Sequence, residues 1–470
     1  MRLMSRSLFS ILLLAVVCSG PLTAAEAKKE LKAGIIGLDT SHVIAFTKLL
    51  NTGTPEGDLA GIRVVAAYPK GSPDIASSVD RVPGYIEQVK EMGVEIVPSI
   101  DELLKKVDVV FLETNDGRPH LEQAIPVLQA GKPLFIDKPV AGSLVDAIAL
   151  YELSEKYNTP MFSSSSLRFA KGAQRLRNGE EGKITKCSTH SPCSLEATHP
   201  DLFWYGIHGV ETLFTVMGPG CQSVKRTVSN ADRDEVAGKW SGGREGHFAG
   251  VRKGTPKGYG GTAVGENGEV AVGGYDGYKP LLVEIAKFFR SGKAPVSPEE
   301  TLEIYSFMEA ADESKRQGGA EVTLASVYEK AEKEAHAKLA KLDLADTGSS
   351  VPDNTLTSAE KEAGWKLLFN GKDYSGGYLI VYDKPFADFK FKCDVKMPEE
   401  CNSGIFFRVG DLKNPVQTGF EAQVLTGEGT GMHDFGAIYD LVAPSVNRAS
   451  KPGEWTNLEI TCQGPHVSVA

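Results

Sequence analysis

The sequence predicts an α/β protein with a doubly wound parallel sheet, followed by an α+β domain with an open sheet and a C-terminal all-β sandwich. Three observations predict this architecture. Short apolar runs alternate with helical runs over residues 31–160, helices flank a glycine-rich middle over residues 164–327, and short strand-like runs separated by turn residues follow residue 363. Alternating strands and helices are typical of a parallel sheet with helices on both faces.

The individual elements follow from local hydrophobic patterns. The predicted strands of the first sheet are 33–36, 63–67, 94–97, 107–112, 134–136 and 160–163. The predicted helices between them are 43–50, 86–92, 100–105, 121–129 and 144–156. The predicted helices of the α+β region are 170–178, 204–217, 279–291, 301–317 and 325–344. The predicted strands of the sandwich are 366–369, 389–395, 405–409, 420–424 and 458–462. A strand-like run at 467–470 leaves open whether the sandwich is complete.

The patterns divide the chain into five segments. They are a signal peptide (1–25), a doubly wound domain (30–160), an α+β substrate domain (161–344), a linker (345–360) and the sandwich (361–470). The first segment has Arg2 and Arg6, then an apolar run, then small residues, as secretory signals do. We therefore expect an exported protein, either periplasmic or extracellular.

Charge and composition limit the classes of partner that the protein is expected to bind. The 51 basic and 61 acidic residues give a net charge of −10, and removal of the predicted signal would change it to −12. A net acidic chain without a basic stripe argues against nucleic acids and anionic membranes as partners. No later segment is long and apolar enough to span a bilayer, so no membrane association is expected beyond export. The sequence leaves open whether the protein forms a homo-oligomer.

Residues 33–42, AGIIGLDTSH, predict a strand, a tight turn and the start of a helix. A Rossmann dinucleotide-binding turn has the pattern G-x-G-x-x-G, in which the second Gly admits the pyrophosphate and the third packs the helix on the strand. Gly37 occupies the first position, but Asp39 and His42 occupy the other two. A Rossmann-like fold is therefore predicted more firmly than its cofactor, NAD or NADP. The candidate cofactor-binding residues are Gly34, Gly37, Leu38, Asp39, Thr40, Ser41, His42 and Lys138.

Lys138 and His208 are candidate catalytic residues. Lys138 follows the fifth predicted strand, and ligands of open α/β sheets bind outside the carboxyl ends of the strands. His208 lies on an apolar helical run, where a neutral imidazole could act as a general base, although a lone His there is more often a core residue. Glu211, on the same helix face, could orient this imidazole or carry surface charge. The candidate substrate-binding residues of this part of the chain are His120, Arg168 and Tyr205.

Together these stretches resemble the glucose-fructose oxidoreductase/inositol dehydrogenase/rhizopine-catabolism (Gfo/Idh/MocA) family over residues 31–324. The resemblance implies that the strand–turn–helix binds NAD(P). It implies that Lys138, in a variant of the family's Glu-Lys-Pro motif, lies near nicotinamide and substrate. It also implies that His208 is the catalytic His of a D-x-x-x-H motif. Trp204 stands where that motif has Asp, and Lys70 lies in the loop where an acidic ribose ligand is expected.

No metal is expected from the sequence. Cys187, His190, Cys193 and His199 have the spacing C-x2-H-x2-C-x5-H, which matches no common zinc pattern.

The C-terminal segment resembles the 3-keto-disaccharide hydrolase family. The resemblance is carried by five ordered motifs: AGWKLLFNGKD at 363–373, NSGIFFR at 402–408, GFEAQ at 419–423, GAIY at 436–439 and GEWTN at 453–457. It implies a concanavalin-like jelly-roll sandwich. Glu421 and Gln423 alternate on one face of a predicted strand, and Arg408 ends a neighbouring one. Glu421 is thus a candidate acid or base, with Arg408 and Gln423 as sugar ligands, whereas a solvent-facing sheet would be polar in any case.

The two resemblances imply one chemical sequence. Oxidation of a sugar C3 hydroxyl acidifies the C2 proton, which permits cleavage of the glycosidic bond by elimination and water addition. We therefore expect an exported enzyme that oxidises a sugar or glycoside with NAD(P) and cleaves the 3-keto product. Two alternatives remain open: a hydrolase or lyase with a non-redox, degenerate Rossmann domain, and a carbohydrate-binding module protein.

Overall fold

A computed structural model describes residues 30–342, 344, 387–411 and 414–470. The predicted signal peptide, the linker and the strand at 366–369 lie outside the described residues. The chain divides into two compact units at Leu367 and Leu368, which are described separately below.

The first sheet confirms the predicted doubly wound architecture. Its six parallel strands are β1 (Leu31–Ile36), β2 (Ile62–Tyr68), β3 (Glu95–Ile96), β4 (Val109–Leu112), β5 (Leu134–Ile136) and β6 (Met161–Ser163), in the order β3-β2-β1-β4-β5-β6. Its helices are α1 (Ser41–Asn51), α2 (Ala76–Glu91), α3 (Ile100–Leu104), α4 (His120–Gln129) and α5 (Leu144–Lys156). The strand order reverses between β1 and β4, and such a reversal is where a doubly wound sheet opens a ligand crevice.

Helix α2 begins ten residues earlier than predicted. Val79, Val82, Ile86 and Val89 recur at helical spacing, but only Ser78 and Val89 are buried along the helix, so this repeat is weakly coupled to the core. Pro83, inside the helix, also reads as a break in sequence.

The region after β6 forms a seven-stranded mixed sheet with helices, as predicted. Its strands are β7 (Lys186–Pro192), β8 (Cys221–Ser229), β9 (Arg233–Trp240), β10 (Arg244–Val251), β11 (Gly260–Gly265), β12 (Gly268–Ala271) and β13 (Val322–Thr323), in the order β12-β11-β7-β10-β9-β8-β13. Its helices are α6 (Lys171–Arg177), α7 (Ile207–Met217), α8 (Lys279–Ser291), α9 (Pro298–Arg316) and α10 (Leu324–Leu339). Strands β7 and β10 pair in parallel, and the other pairs are antiparallel.

Helix α8 follows β12 of the second sheet in the chain and packs on the first sheet. The rings of Phe289 and Phe111 lie 4.9 Å apart and those of Phe288 and Phe162 lie 4.8 Å apart, both edge to face. Each buried Phe of this kind contributes about 1.5–3 kcal/mol. This packing fixes the loops of the second sheet relative to the carboxyl edge of the first.

The C-terminal unit is rich in sheet. Its elements are β14 (Phe389–Lys396), β15 (Asn402–Phe407), α11 (Pro415–Thr418), β16 (Phe420–Leu425), β17 (Trp455–Gln463) and β18 (His466–Val469). Antiparallel sheets of order β14-β17-β18 and β15-β16 enclose a small core that includes Phe407, Val424 and Ile460. A β-rich domain is thus present, and the jelly-roll topology remains a prediction. Within the described part of the chain, no helix combines the length and apolarity needed to cross a bilayer.

Candidate active site

The turn after β1 brings two loops into close contact. Gly37 has φ of 84°, and a Cβ there would collide with Thr114, in the loop after β4. Helix α1 starts four residues later, and its N-cap residue, Thr40, makes no side-chain capping hydrogen bond. Helix N-termini attract anions through their free amides and the helix dipole. The turn therefore fits a pyrophosphate at the place that the sequence pattern indicates.

Two of the predicted cofactor residues have packing roles, and their contact with a cofactor stays a prediction. A Cβ at Gly34 would lie 2.6 Å from Leu103 Cδ2, so this glycine lets α3 pack on β1. The side chain of Leu38 is fully buried in the core next to α1.

Asp39 spans the crevice. Its Oδ2 accepts a hydrogen bond from Ser78 Oγ at 2.6 Å, and its Oδ1 accepts one from the amide of Asn115 at 2.8 Å. Ser78 lies in α2 and Asn115 follows β4, so the carboxylate links the two sides of the β1–β4 switch point. Burial raises the pKa of Asp39. The carboxylate is held by these partners rather than by the amides of α1, which leaves the helix start available to an anion.

His42, Glu113 and Asp137 meet where α1, β4 and β5 converge. Nδ1 of His42 lies 2.7 Å from Asp137 Oδ2 and 3.8 Å from Glu113 Oε2, and Thr40 Oγ1 donates to the same Glu113 oxygen at 3.1 Å. Burial raises the pKa of Glu113 well above its usual range, and the charge of Asp137 adds to the effect. Burial opposes ionisation of Asp137 too, but the charges of His42 and Lys138 outweigh it and lower its pKa to about 2.

The structure brings Lys138 and His208 together, although 70 residues separate them. Lys138 follows β5, is 8% exposed, and its amide donates to Asp137 Oδ1 at 2.8 Å. Nδ1 of His208, in the first turn of α7, forms a 2.7 Å hydrogen bond with Ser165 Oγ. Burial lowers the pKa of His208 well below its usual value, and the positive charge of Lys138 lowers it further. A neutral imidazole beside an ammonium group suits proton removal from a hydroxyl.

Glu211 positions the loop that holds His208. Its carboxylate is buried and accepts from Ser164 Oγ at 2.6 Å, from the amide of Ser165 at 2.7 Å and from Arg168 Nε at 2.7 Å. Of the two roles considered for Glu211, surface charge is therefore wrong, and it orients the imidazole through Ser165. Asp201, near the position of the missing family Asp, instead pairs with Lys315 at 2.6 Å.

Arg168 and His120 do not face the crevice as predicted for substrate ligands. Arg168 is 1% exposed, and its guanidinium donates to Glu211 and, at 2.8 Å, to Glu300. His120 is fully buried, and its ring nitrogens lie 3.1 Å and 2.8 Å from the carbonyl oxygens of Val140 and Thr114. Both side chains hold loops in place. Their positions after strands placed them near the carboxyl edge, but sequence position does not reveal which way a side chain points.

Four tyrosines lie around the two histidines. The rings of Tyr205 and Tyr259 lie 5.0 Å and 5.8 Å from that of His208, and their hydroxyl groups are 3.0 Å apart. The ring of Tyr278 lies 4.5 Å from that of His42, and its hydroxyl lies 2.8 Å from Ser41 Oγ. Tyr275 bridges them, with ring centroids 6.4 Å from Tyr259 and 5.4 Å from Tyr278. Only Tyr205 was predicted.

The other three tyrosines belong to, or directly follow, the glycine-rich segment 242–277. The signal available in the sequence was that these three tyrosines fall within one span of 20 residues.

The C-terminal candidates lie on neighbouring strands. Glu421 and Gln423 share a face of β16, and a Cβ at Gly404 on β15 would collide with the Glu421 carboxylate, so this glycine makes room for it. Gln423 donates to Asn402 Oδ1 at 3.1 Å. Burial raises the pKa of Glu421. Arg408 donates instead to the carbonyl oxygen of Ala387 at 3.2 Å.

Comparison with known proteins agrees with both resemblances. Residues 31–164 match the family model described as "Oxidoreductase family, NAD-binding Rossmann fold". Residues 325–470 match that of the 3-keto-alpha-glucoside-1,2-lyase-like domain. A curated protein described as an uncharacterized oxidoreductase, from Streptococcus pneumoniae, is 24% identical over 159 residues, which are 30% of this chain and 43% of that protein. The chain thus matches less than half the length of that relative.

Solved structures share the fold of the first unit. A probable dehydrogenase from Thermotoga maritima superposes with a TM-score of 0.51 at 19% identity, covering 63% of this chain and all of that one. An oxidoreductase from Agrobacterium radiobacter, in complex with NAD+, L-tartaric acid and magnesium, also superposes with a TM-score of 0.51, at 16% identity. The match covers 64% of this chain and all of that one. A scyllo-inositol dehydrogenase from Lactobacillus casei, with bound NAD(H) and scyllo-inositol, superposes with a TM-score of 0.51 at 16% identity. The match covers 63% of this chain and all of that one.

The cofactor that the first family description names, NAD, agrees with the predicted NAD or NADP. The geometry of the β1 turn fits that class of ligand, and the first family is one of enzymes. The chain therefore combines a domain of the oxidoreductase family with an NAD-binding Rossmann fold, over residues 31–164, with a 3-keto-alpha-glucoside-1,2-lyase-like domain over residues 325–470.

Proposed function

We propose that this protein oxidises a hydroxyl group of a sugar or glycoside, at C3, with NAD or NADP as hydride acceptor, and that its C-terminal domain cleaves the 3-keto product. The observation that carries the proposal is the buried imidazole of His208, held by Ser165 Oγ at 2.7 Å, close enough to Lys138 at the carboxyl edge of the first sheet for that charge to lower its pKa.

In this proposal His208 is the general base. When Nδ1 carries its proton and donates to Ser165 Oγ, Nε2 is the atom that accepts the proton of the substrate hydroxyl. Lys138 donates a hydrogen bond to the same oxygen and stabilises the negative charge that develops on it. The charge of Lys138 also favours the neutral state of His208 that proton removal requires.

NAD or NADP would be held by the Gly37 turn and the start of α1, through Thr40, Ser41 and the backbone at His42. When bound, the nicotinamide would supply the chemistry of hydride acceptance. Lys138 is the protein group that would lie between it and the substrate.

The four tyrosines favour a polyhydroxyl substrate. Aromatic faces bury the apolar C–H faces of sugar rings while the phenol groups hydrogen-bond to hydroxyls. Polyol and hydroxy-acid ligands in two structures of the same fold support this class. Tyr205 is the sequence-predicted member of this set.

For the C-terminal domain we propose cleavage by elimination. Glu421 takes the acidified C2 proton of a 3-keto glycoside, the C1–O glycosidic bond breaks, and the alcohol leaves with a proton; water then adds across the new C1–C2 double bond. Gln423 and Arg408 are the proposed sugar ligands. The raised pKa of Glu421 is suited to proton exchange, since a carboxyl that titrates nearer to neutrality is a better acid and base pair.

We also propose export, with residues 1–25 as a cleaved signal peptide, and the segment boundaries given above. N-terminal sequencing of the protein recovered from the periplasm or medium tests both the cleavage and its position. Light scattering would measure the oligomeric state and show whether the protein forms a homo-oligomer.

One observation favours a second candidate, in which the first domain carries no redox chemistry and the protein is a lyase or hydrolase. Besides Asp39, two further contacts link the loops after β2 and β4: Ser72 Oγ donates to Asp116 Oδ2 at 2.6 Å, and Arg118 donates to Asp74 at 2.8 Å. A dinucleotide must displace or pass these contacts.

The first experiment is mass spectrometry of nucleotides released on denaturation, with tryptophan-fluorescence titration by NAD and NADP. A released or bound dinucleotide supports the oxidoreductase, and reduction of added NAD in the presence of a panel of sugars and glycosides then identifies the substrate class. Failure of both dinucleotides to bind at about 1 mM would overturn the redox assignment. Cleavage of a 3-keto glycoside that is lost in Glu421→Ala would then establish the second candidate.

A further inference from the structure

We infer that His42, Glu113 and Asp137 form a binding site for one divalent transition-metal ion such as Zn²⁺ or Mn²⁺. Within the described residues, this is the one group of three His, Cys, Asp or Glu side chains whose ligand atoms lie close enough, all within 4.8 Å of one another. The inference goes beyond the proposed oxidation and does not depend on it.

All three side chains carry a buried atom without a hydrogen-bond partner. These atoms are His42 Nδ1, Glu113 Oε1 and Asp137 Oδ2. Nδ1 and Oδ2 are 2.7 Å apart, the distance of an ion pair, so both atoms are placed to contact one shared ion. Buried polar atoms are almost always hydrogen-bonded, because each that is not costs about 1–3 kcal/mol. Three such atoms that converge from three elements are better explained by a shared ligand.

The charge of the group is also unbalanced. Glu113 and Asp137 are fully buried, and among the described residues His42 is the one ion-pair partner of either carboxylate. The charge of Lys138 also acts on both carboxylates, but two buried carboxylates that share one contacting imidazole still favour a further positive charge close to their oxygens. A divalent ion would supply it, and it would reduce the negative potential next to the start of α1.

The donor set selects the type of ion. One imidazole nitrogen with two carboxylate oxygens suits Zn²⁺, Mn²⁺ or Fe²⁺, whereas Mg²⁺ and Ca²⁺ prefer oxygen ligands only. Thr40, which donates to Glu113, would orient that ligand from outside the site, as hydrogen bonds to metal ligands commonly do. The sequence does not show this site, because its ligands lie 71 and 24 residues apart in the chain.

The test is metal analysis of the full chain, purified without chelators, before and after treatment with EDTA. We expect about one Zn or Mn per chain. After EDTA, Zn²⁺ and Mn²⁺ should rebind in isothermal titration, and Mg²⁺ should not. Glu113→Gln and His42→Asn should each weaken binding by about tenfold or more. Glu235→Gln and His247→Asn, which alter a half-exposed His–Glu pair of the same unit, are the matched controls and should not.

The wild-type chain alone also decides the question if the variants fail to fold. Its Co²⁺ derivative should show only the weak bands of nitrogen and oxygen ligands. Strong thiolate charge-transfer bands would assign the ion to cysteines and overturn the inference. The absence of bound metal, with no binding of Zn²⁺ or Mn²⁺ at about 1 mM, would overturn it as well and leave protons to balance the charge.

Discussion

Ser165 Oγ lies 2.7 Å from Nδ1 of His208 and is its hydrogen-bond partner. Ser165 is held in turn, since its amide donates to Glu211 at 2.7 Å and its Oγ accepts from the amide of Leu167 at 3.2 Å. A neutral hydroxyl fixes the orientation of the ring without adding a negative charge that would favour the imidazolium. The Ser165 contact thus positions the His208 ring, while burial and the charge of Lys138 lower its pKa.

We predict that Ser165→Ala lowers kcat for the proposed oxidation by about 10- to 100-fold with little change in KM, since the imidazole loses its orienting partner. Steady-state kinetics with the identified substrate measure this. Ser188→Ala is the matched control, because Ser188 Oγ contacts the half-exposed His247 at 3.2 Å and the substitution should leave kcat unchanged. Equal losses in both variants would contradict a positioning role for Ser165.

The low pKa of His208 predicts a pH dependence of stability. In the unfolded chain a His titrates near 6.5, and in the folded protein it resists protonation, so below about pH 6.5 the unfolded state binds the extra proton. The contribution of His208 is therefore full above that pH and is lost as the pH falls. Urea unfolding between pH 5 and 8 should show a smaller loss of stability at low pH in His208→Gln than in the wild type. An equal loss of stability at low pH in the two proteins would show that His208 is not the source of this pH dependence.

Arg168 should be a stability residue. Arg168→Met leaves the buried Glu211 and Glu300 carboxylates without this partner, which costs about 3–5 kcal/mol. Thermal unfolding followed by circular dichroism measures the loss. Lys186→Met breaks an exposed pair with Glu245 and should leave Tm unchanged. If Arg168→Met unfolded at the wild-type temperature while substrate binding was lost, Arg168 would instead be a substrate ligand.

Asp39→Gly should tighten NAD binding by about tenfold, since it restores the second glycine of the fingerprint and removes the side chain that spans the crevice. Fluorescence titration measures the affinity. Asp39→Asn is the control, because an amide can still bridge Ser78 and the loop after β4. Weaker or equal binding by the glycine variant would mean that Asp39 contributes to the cofactor site as it stands.

The sequence alone determined the layered architecture. Strand and helix periodicities along the first 160 residues predicted every strand of the first sheet, because burial on both faces of a parallel sheet produces short apolar runs. It also selected Lys138 and His208 as candidates, and their catalytic roles stay predictions. Helix α2 shows the limit of this approach, since Pro83 inside it looks like a helix break in the sequence.

Only the tertiary structure decided what each candidate side chain does. Arg168 and His120 follow strands like Lys138, yet they point into buried networks whose partners are as many as 132 residues away. Tyr259, Tyr275 and Tyr278 reach the site from a glycine-rich segment, and His42, Glu113 and Asp137 converge from three elements. Local sequence sets the backbone because neighbouring residues share its hydrogen bonds and periodicity. The direction, burial and charge of a side chain depend on distant segments that only folding brings together.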